Sequence, residues 1–133
     1  VEWEGGNFVL EGCGDNRDLH SFPTRRRRIY RELVLGPFVG APTEHVRIPF
    51  GRGVCGQVAE SGETLVVPDV AAEANYLSCG SAVQSEIVIP IHADGEFVAQ
   101  LDIDSHTRDP FSQGEVVFLQ RLCTRLAQLW SET

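Results

Sequence analysis

Two runs dense in β-branched residues, 85–91 and 96–104, flank His92-Ala93-Asp94-Gly95, where Asp94-Gly95 has the composition of a tight hairpin turn. This pairing constrains the fold more than any other segment, because it folds one strand back onto the next in antiparallel register. Along Gln100-Leu101-Asp102-Ile103-Asp104-Ser105 the alternation sends Leu101 and Ile103 to one face and Asp102 and Asp104 to the other. Glu86, sixteen residues before Asp102 on the preceding strand, is expected to add a third carboxylate to the acidic face. The competing reading is a solvated acidic face, common where antiparallel sheets meet water on one side.

The remaining elements fit around that hairpin. Residues 1–10 and 32–38 read as two antiparallel strands, the second stopped at Gly36-Pro37, with the polar stretch 12–31 as a long surface loop between them. Residues 45–50 are extended and 64–67 form a small strand ended by Pro68-Asp69. Gly51-Arg52-Gly53-Val54-Cys55-Gly56 is a glycine-punctuated turn feeding a short helix over 57–60, and 71–76 holds a helical turn. Ser112 and Glu115 have the spacing of a capping box, after which Leu119, Leu122, Cys123, Leu126, Leu129 and Trp130 recur at helical spacing. The result is an α+β fold, a central antiparallel β-sheet flanked by helices, in one domain of 133 residues.

Charge narrows the partners. Nineteen acidic residues oppose eleven basic ones, all arginine, for a formal charge of −8. Nonspecific nucleic-acid binding is disfavoured. The run Arg25-Arg26-Arg27-Arg28 reads as a solvated patch before it reads as an import signal or anion site. No apolar run is long enough to span a membrane and no signal peptide is recognisable, so a cytoplasmic protein without a membrane partner is expected. The chain begins at Val1 and contains no methionine, from which an amino-terminal helical element is expected to be missing.

Four cysteines without a secretory signal point to a reducing compartment and to thiol chemistry rather than a disulfide scaffold. Cys79 lies in the small-residue loop Ser78-Cys79-Gly80-Ser81, where backbone N–H groups can favour a thiolate, and is the best candidate nucleophile. Cys55 is either a packed small hydrophobe or a partner thiol for Cys79. Cys123 falls on the apolar stripe of the last helix, and Cys13 has no evident partner. No Cys-x-x-Cys or His-x-x-x-His spacing supports a metal, and the glycine turn lacks the residues of a phosphate loop. No cofactor is expected. Trp3 is a core aromatic by default and otherwise a wall for a ligand methyl or sulfur.

The strings Leu33-Val34-Leu35-Gly36-Pro37-Phe38, Val46-Arg47-Ile48-Pro49, Gly51-Arg52-Gly53-Val54-Cys55-Gly56, Ser85-Glu86-Ile87-Val88-Ile89-Pro90 and Leu101-Asp102-Ile103-Asp104-Ser105 closely resemble the free methionine (R)-sulfoxide reductases, which are single GAF-type domains. The resemblance implies one GAF-like domain over 1–133 and an oxidoreductase of oxidative repair that returns free methionine (R)-sulfoxide to methionine through a cysteine sulfenic acid and a disulfide. It implies Cys79 as the catalytic cysteine, Cys55 as a second redox cysteine, Glu86, Asp102 and Asp104 as the carboxylates that bind and protonate substrate, and Trp3 beside the substrate methyl. A thioredoxin-like reductant completes the cycle. The sequence departs from the family at His45, where a third cysteine is usual, and at Trp3-Glu4-Gly5-Gly6-Asn7-Phe8, where Trp-x-Gly-Phe-Tyr is common. A noncatalytic GAF module that binds a small signalling ligand is the rival reading, and the sequence leaves open whether two copies pair as a homodimer.

Overall fold

The computed structural model describes residues 8–13, 32–40, 45–78 and 82–131. Their backbone forms six strands: β1 (Phe8–Cys13), β2 (Glu32–Val39), β3 (Arg47–Pro49), β4 (Leu65–Val67), β5 (Ser85–Ala93) and β6 (Glu96–Ser105). Two helices accompany them, α1 (Gly53–Ser61) and α2 (Gln113–Ser131). The strands make one sheet in the order β3-β2-β1-β6-β5-β4, and every pairing is antiparallel.

The β5–β6 hairpin organises the sheet as its sequence requires. Asp94 and Gly95 take φ of 54° and 78°, the left-handed pair that a two-residue turn demands, and Ala93 pairs with Glu96 directly across it. His92 and Ala93 therefore belong to the strand, with a bulge between Ile91 and His92 that absorbs the extra residue. β1 likewise runs past the expected start of the loop at residue 12. Gly12 pairs with Ala99 of β6 and Cys13 with Leu33 of β2, so two flanking ladders hold what composition alone assigns to a turn.

The two faces of the sheet are buried by different means. On one, Ile87, Ile89, Ile91, Leu101 and Ile103 pack beneath Leu119, Leu122, Cys123 and Leu126 of α2. The capping box of α2 is reciprocal: Ser112 Oγ accepts from Glu115 N at 3.2 Å, and Glu115 Oε2 accepts from Ser112 N at 3.4 Å. On the other, Leu33, Ile48, Val67 and Val88 pack against Val54, Cys55, Val58 and Ala59 of α1. α1 is longer than the four residues expected and starts inside the glycine turn. Glycine is a poor helix former, but Gly53, Val54, Cys55 and Gly56 are all buried, and tertiary packing outweighs propensity. The helical turn expected over 71–76 is a single 3₁₀ turn, Val70–Ala72, capped by Asp69 Oδ1 on Ala71 N at 3.1 Å.

Candidate active site

The acidic face is not solvated. Glu86 pairs directly with Asp104 across the β5–β6 ladder, and Asp102 lies two residues away on the same face. All three carboxylates are buried, Glu86 at 3%, Asp102 at 3% and Asp104 at 2% exposure. What covers them is α1: Cys55 Sγ donates to Asp102 Oδ2 at 3.1 Å and sits 3.8 Å from Glu86 Oε2, while Gln100 Nε2 donates to the Cys55 carbonyl at 3.2 Å and ties the helix to β6. A thiol donates such a bond only while it keeps its proton.

Burial, reinforced by the charges and hydrogen bonds of Asp102 and Asp104, holds the Glu86 carboxyl well above the usual carboxylate range. Three carboxylates this close cannot all ionise cheaply, so the cluster retains a proton that burial favours on Glu86. The cluster therefore offers an acid among carboxylate oxygens in one water-poor space.

Cys55, Glu86 and Asp102 have ligand atoms within 4.8 Å of one another, which brings a soft and two hard donors together. Among the described residues, His45 is not part of that group. Cys123 is buried, and desolvation pushes its thiol up to about 12, which suits a packing role. Cys55 and Cys123 are both unbridged. Trp3, Cys79 and the arginines 25–28 lie outside the described residues; Cys13 is placed by its backbone at the end of β1.

The segment leading toward Cys79 is held against the start of α1, and the glycines of the turn explain how. A β-carbon on Gly53 would lie 2.8 Å from Leu77 Cβ, and one on Gly56 would lie 2.7 Å from the Pro49 carbonyl oxygen. Close backbone packing is thus the reason for these glycines. Gly53 also has φ of +67°, where a β-carbon costs about 1–2 kcal/mol, and crowding Leu77 adds about 1–3 kcal/mol. Gly53→Ala is expected to lower unfolding stability by about 2–5 kcal/mol, measured by urea denaturation. An unchanged midpoint would mean that the turn relaxes freely.

A six-stranded antiparallel sheet with helices on both faces and a buried polar site under the shorter helix defines a GAF-type domain, and the GAF domain family model matches residues 16–130. The chain is 45% identical to protein YtsP of Bacillus subtilis over 95% of its own length and 66% of that protein's. It is 40% identical to the free methionine-R-sulfoxide reductase of Saccharomyces cerevisiae over 68% of this chain and 50% of that one. The solved free methionine-R-sulfoxide reductase of Neisseria meningitidis, in complex with its substrate, superposes with a TM-score of 0.77 at 35% identity, covering 98% of this chain and 68% of that chain. The chain belongs to the free methionine-R-sulfoxide reductase family. It spans between half and two thirds of the length of the two curated relatives. Among the described residues, no helix is long and apolar enough to cross a membrane.

Proposed function

We propose that this protein reduces free methionine (R)-sulfoxide to methionine. The observation that carries the reading is the buried triad of Glu86, Asp102 and Asp104, in which burial and the neighbouring carboxylates raise the Glu86 carboxyl. A sulfoxide sulfur accepts a thiolate when its oxygen is protonated as the bond to it weakens, and Glu86 supplies that proton. Asp102 and Asp104 carry the negative charge that pairs with the ammonium of a free amino acid. Trp3 is assigned as the aromatic contact of the substrate methyl group.

Cys79 is the attacking thiol. In the net first step the sulfoxide oxygen passes to Cys79, so that thiol and sulfoxide become sulfenic acid and thioether. A second thiol then condenses with the sulfenic acid, releasing water and leaving a disulfide, and a thioredoxin-like dithiol reduces that disulfide by two electrons. Cys55 is assigned the second thiol, because it is buried beside the carboxylates with its Sγ donating to Asp102 Oδ2.

The test is turnover of three compounds with dithiothreitol: free methionine (R)-sulfoxide, the (S) epimer, and the N-acetylated (R)-sulfoxide. Only the first is expected to turn over well. Acetylation removes the ammonium, and the loss of a charge-assisted contact to buried carboxylate lowers kcat/KM by about 10- to 100-fold. Equal use of both epimers, or none of either, would reject the assignment.

A further inference from the structure

Two side chains outside the carboxylate cluster grip the segment that runs into Cys79. Asn75 Oδ1 accepts from Gly53 N at 2.8 Å, its Nδ2 donates to the Gly51 carbonyl at 2.9 Å, and its own carbonyl accepts from Gln57 Nε2 at 3.1 Å. Three residues on, His45 Nε2 lies 2.9 Å from the Ser78 carbonyl oxygen. A carbonyl can only accept, so the ring nitrogen donates. These bonds close sequence separations of 22, 24, 18 and 33 residues.

The anchors are not scattered. Gly53 stands two residues before Cys55, Leu77 rests on Gly53, and Ser78 is covalently joined to Cys79. Tyr76 and Leu77 pack against the core, while Asn75 and Ser78 on either side of them are exposed, so the polar bonds fix the two ends of the segment. We infer that His45 and Asn75 are positioning residues: Asn75 ties residues 75–78 to the start of α1 and His45 ties their far end to the residues before β3, fixing the stretch of chain that leads directly into Cys79. The inference rests on the reading of Cys79 as the attacking thiol, and it names the side chains that aim it.

Thiol bridging and sulfoxide turnover, measured side by side, separate the clamp from the reductase activity. The wild-type chain and the variants His45→Ala, His45→Gln, Asn75→Ala and Asn75→Asp are treated with diamide, which takes up two hydrogens as two thiols become a disulfide. The rate of Cys55–Cys79 bridging is followed by peptide mass spectrometry. In parallel, kcat and KM are measured with free methionine (R)-sulfoxide and dithiothreitol, and thermal unfolding is recorded. A misplacement of about 1 Å costs on the order of 10²-fold in a reaction between held groups. Each alanine variant is therefore expected to slow bridging and kcat by about tenfold or more, with KM within about threefold and a single cooperative unfolding transition retained at a modestly lowered midpoint. His45→Gln keeps a side-chain N–H donor and restores both rates; Asn75→Asp keeps the acceptor for Gly53 N and restores them in part. Failure of the wild type to form the bridge, or equal rates in the alanine variants, overturns the clamp. Normal bridging without turnover of sulfoxide leaves the clamp standing and removes the reductase.

Discussion

Cys79→Ser is expected to lose turnover of free methionine (R)-sulfoxide by on the order of 10⁴-fold or more with dithiothreitol, because a hydroxyl replaces the one thiol assigned to attack. Cys55→Ser is expected to behave differently. A serine hydroxyl can still donate to Asp102, so the fold and the carboxylate cluster survive, and an external dithiol can reduce the sulfenic acid directly. With dithiothreitol the variant should keep activity within about threefold of wild type, and with a thioredoxin system it should fall by about tenfold or more. The pair of measurements distinguishes attack from recycling. Wild-type turnover by Cys79→Ser would remove the proposed nucleophile; loss by Cys55→Ser under both reductants would assign that thiol to the first step.

Glu86→Gln should trade activity for stability. The carboxyl is held above its ordinary range by burial and by Asp102 and Asp104 on β6, with the Cys55 thiol facing it from α1. In the unfolded chain that proton leaves in the ordinary carboxylate range; in the folded chain it leaves well above it. The folded state therefore binds more protons between the two values, and stability falls as pH rises through that window. Glutamine has the same shape and no charge to lose. Urea midpoints of wild type and Glu86→Gln are expected to differ least at pH 5 and to diverge in favour of the variant by pH 8. Activity moves the other way: without the acid, kcat/KM drops by about 10²- to 10⁴-fold, and the decline toward high pH that marks its titration disappears. A variant with full activity, or a stability gap that narrows as pH rises, would assign the proton elsewhere.

How much of this was legible in the sequence depends on which forces set each element. The β5–β6 hairpin is local: Asp94-Gly95 and the alternating runs specify the turn, the register and the shared face of Glu86, Asp102 and Asp104 without outside help. The cap of α2 is local for the same reason. Whether the acidic face was wet or dry was not readable, since the residues that cover it come from α1, 31 and 47 positions before Glu86 and Asp102. α1 itself is understated by its sequence, because two glycines and a single helical turn of clear pattern hide a helix held by packing. The grip of His45 and Asn75 on residues 75–78 left no signal at all. A lone histidine and a lone asparagine become informative only when the chain has folded and set each beside a distant backbone group.

The outermost strands of the sheet carry a consequence for the life of the chain in concentrated solution. β3 and β4 are only three residues long, and β3 presents Pro49 together with Arg47 in an ion pair with Glu32. A neighbouring molecule seeking to extend the ladder finds few amide rungs there, one of them removed by proline and another guarded by charge. A Val- and Ile-rich sheet is thereby shielded from templating its own aggregation.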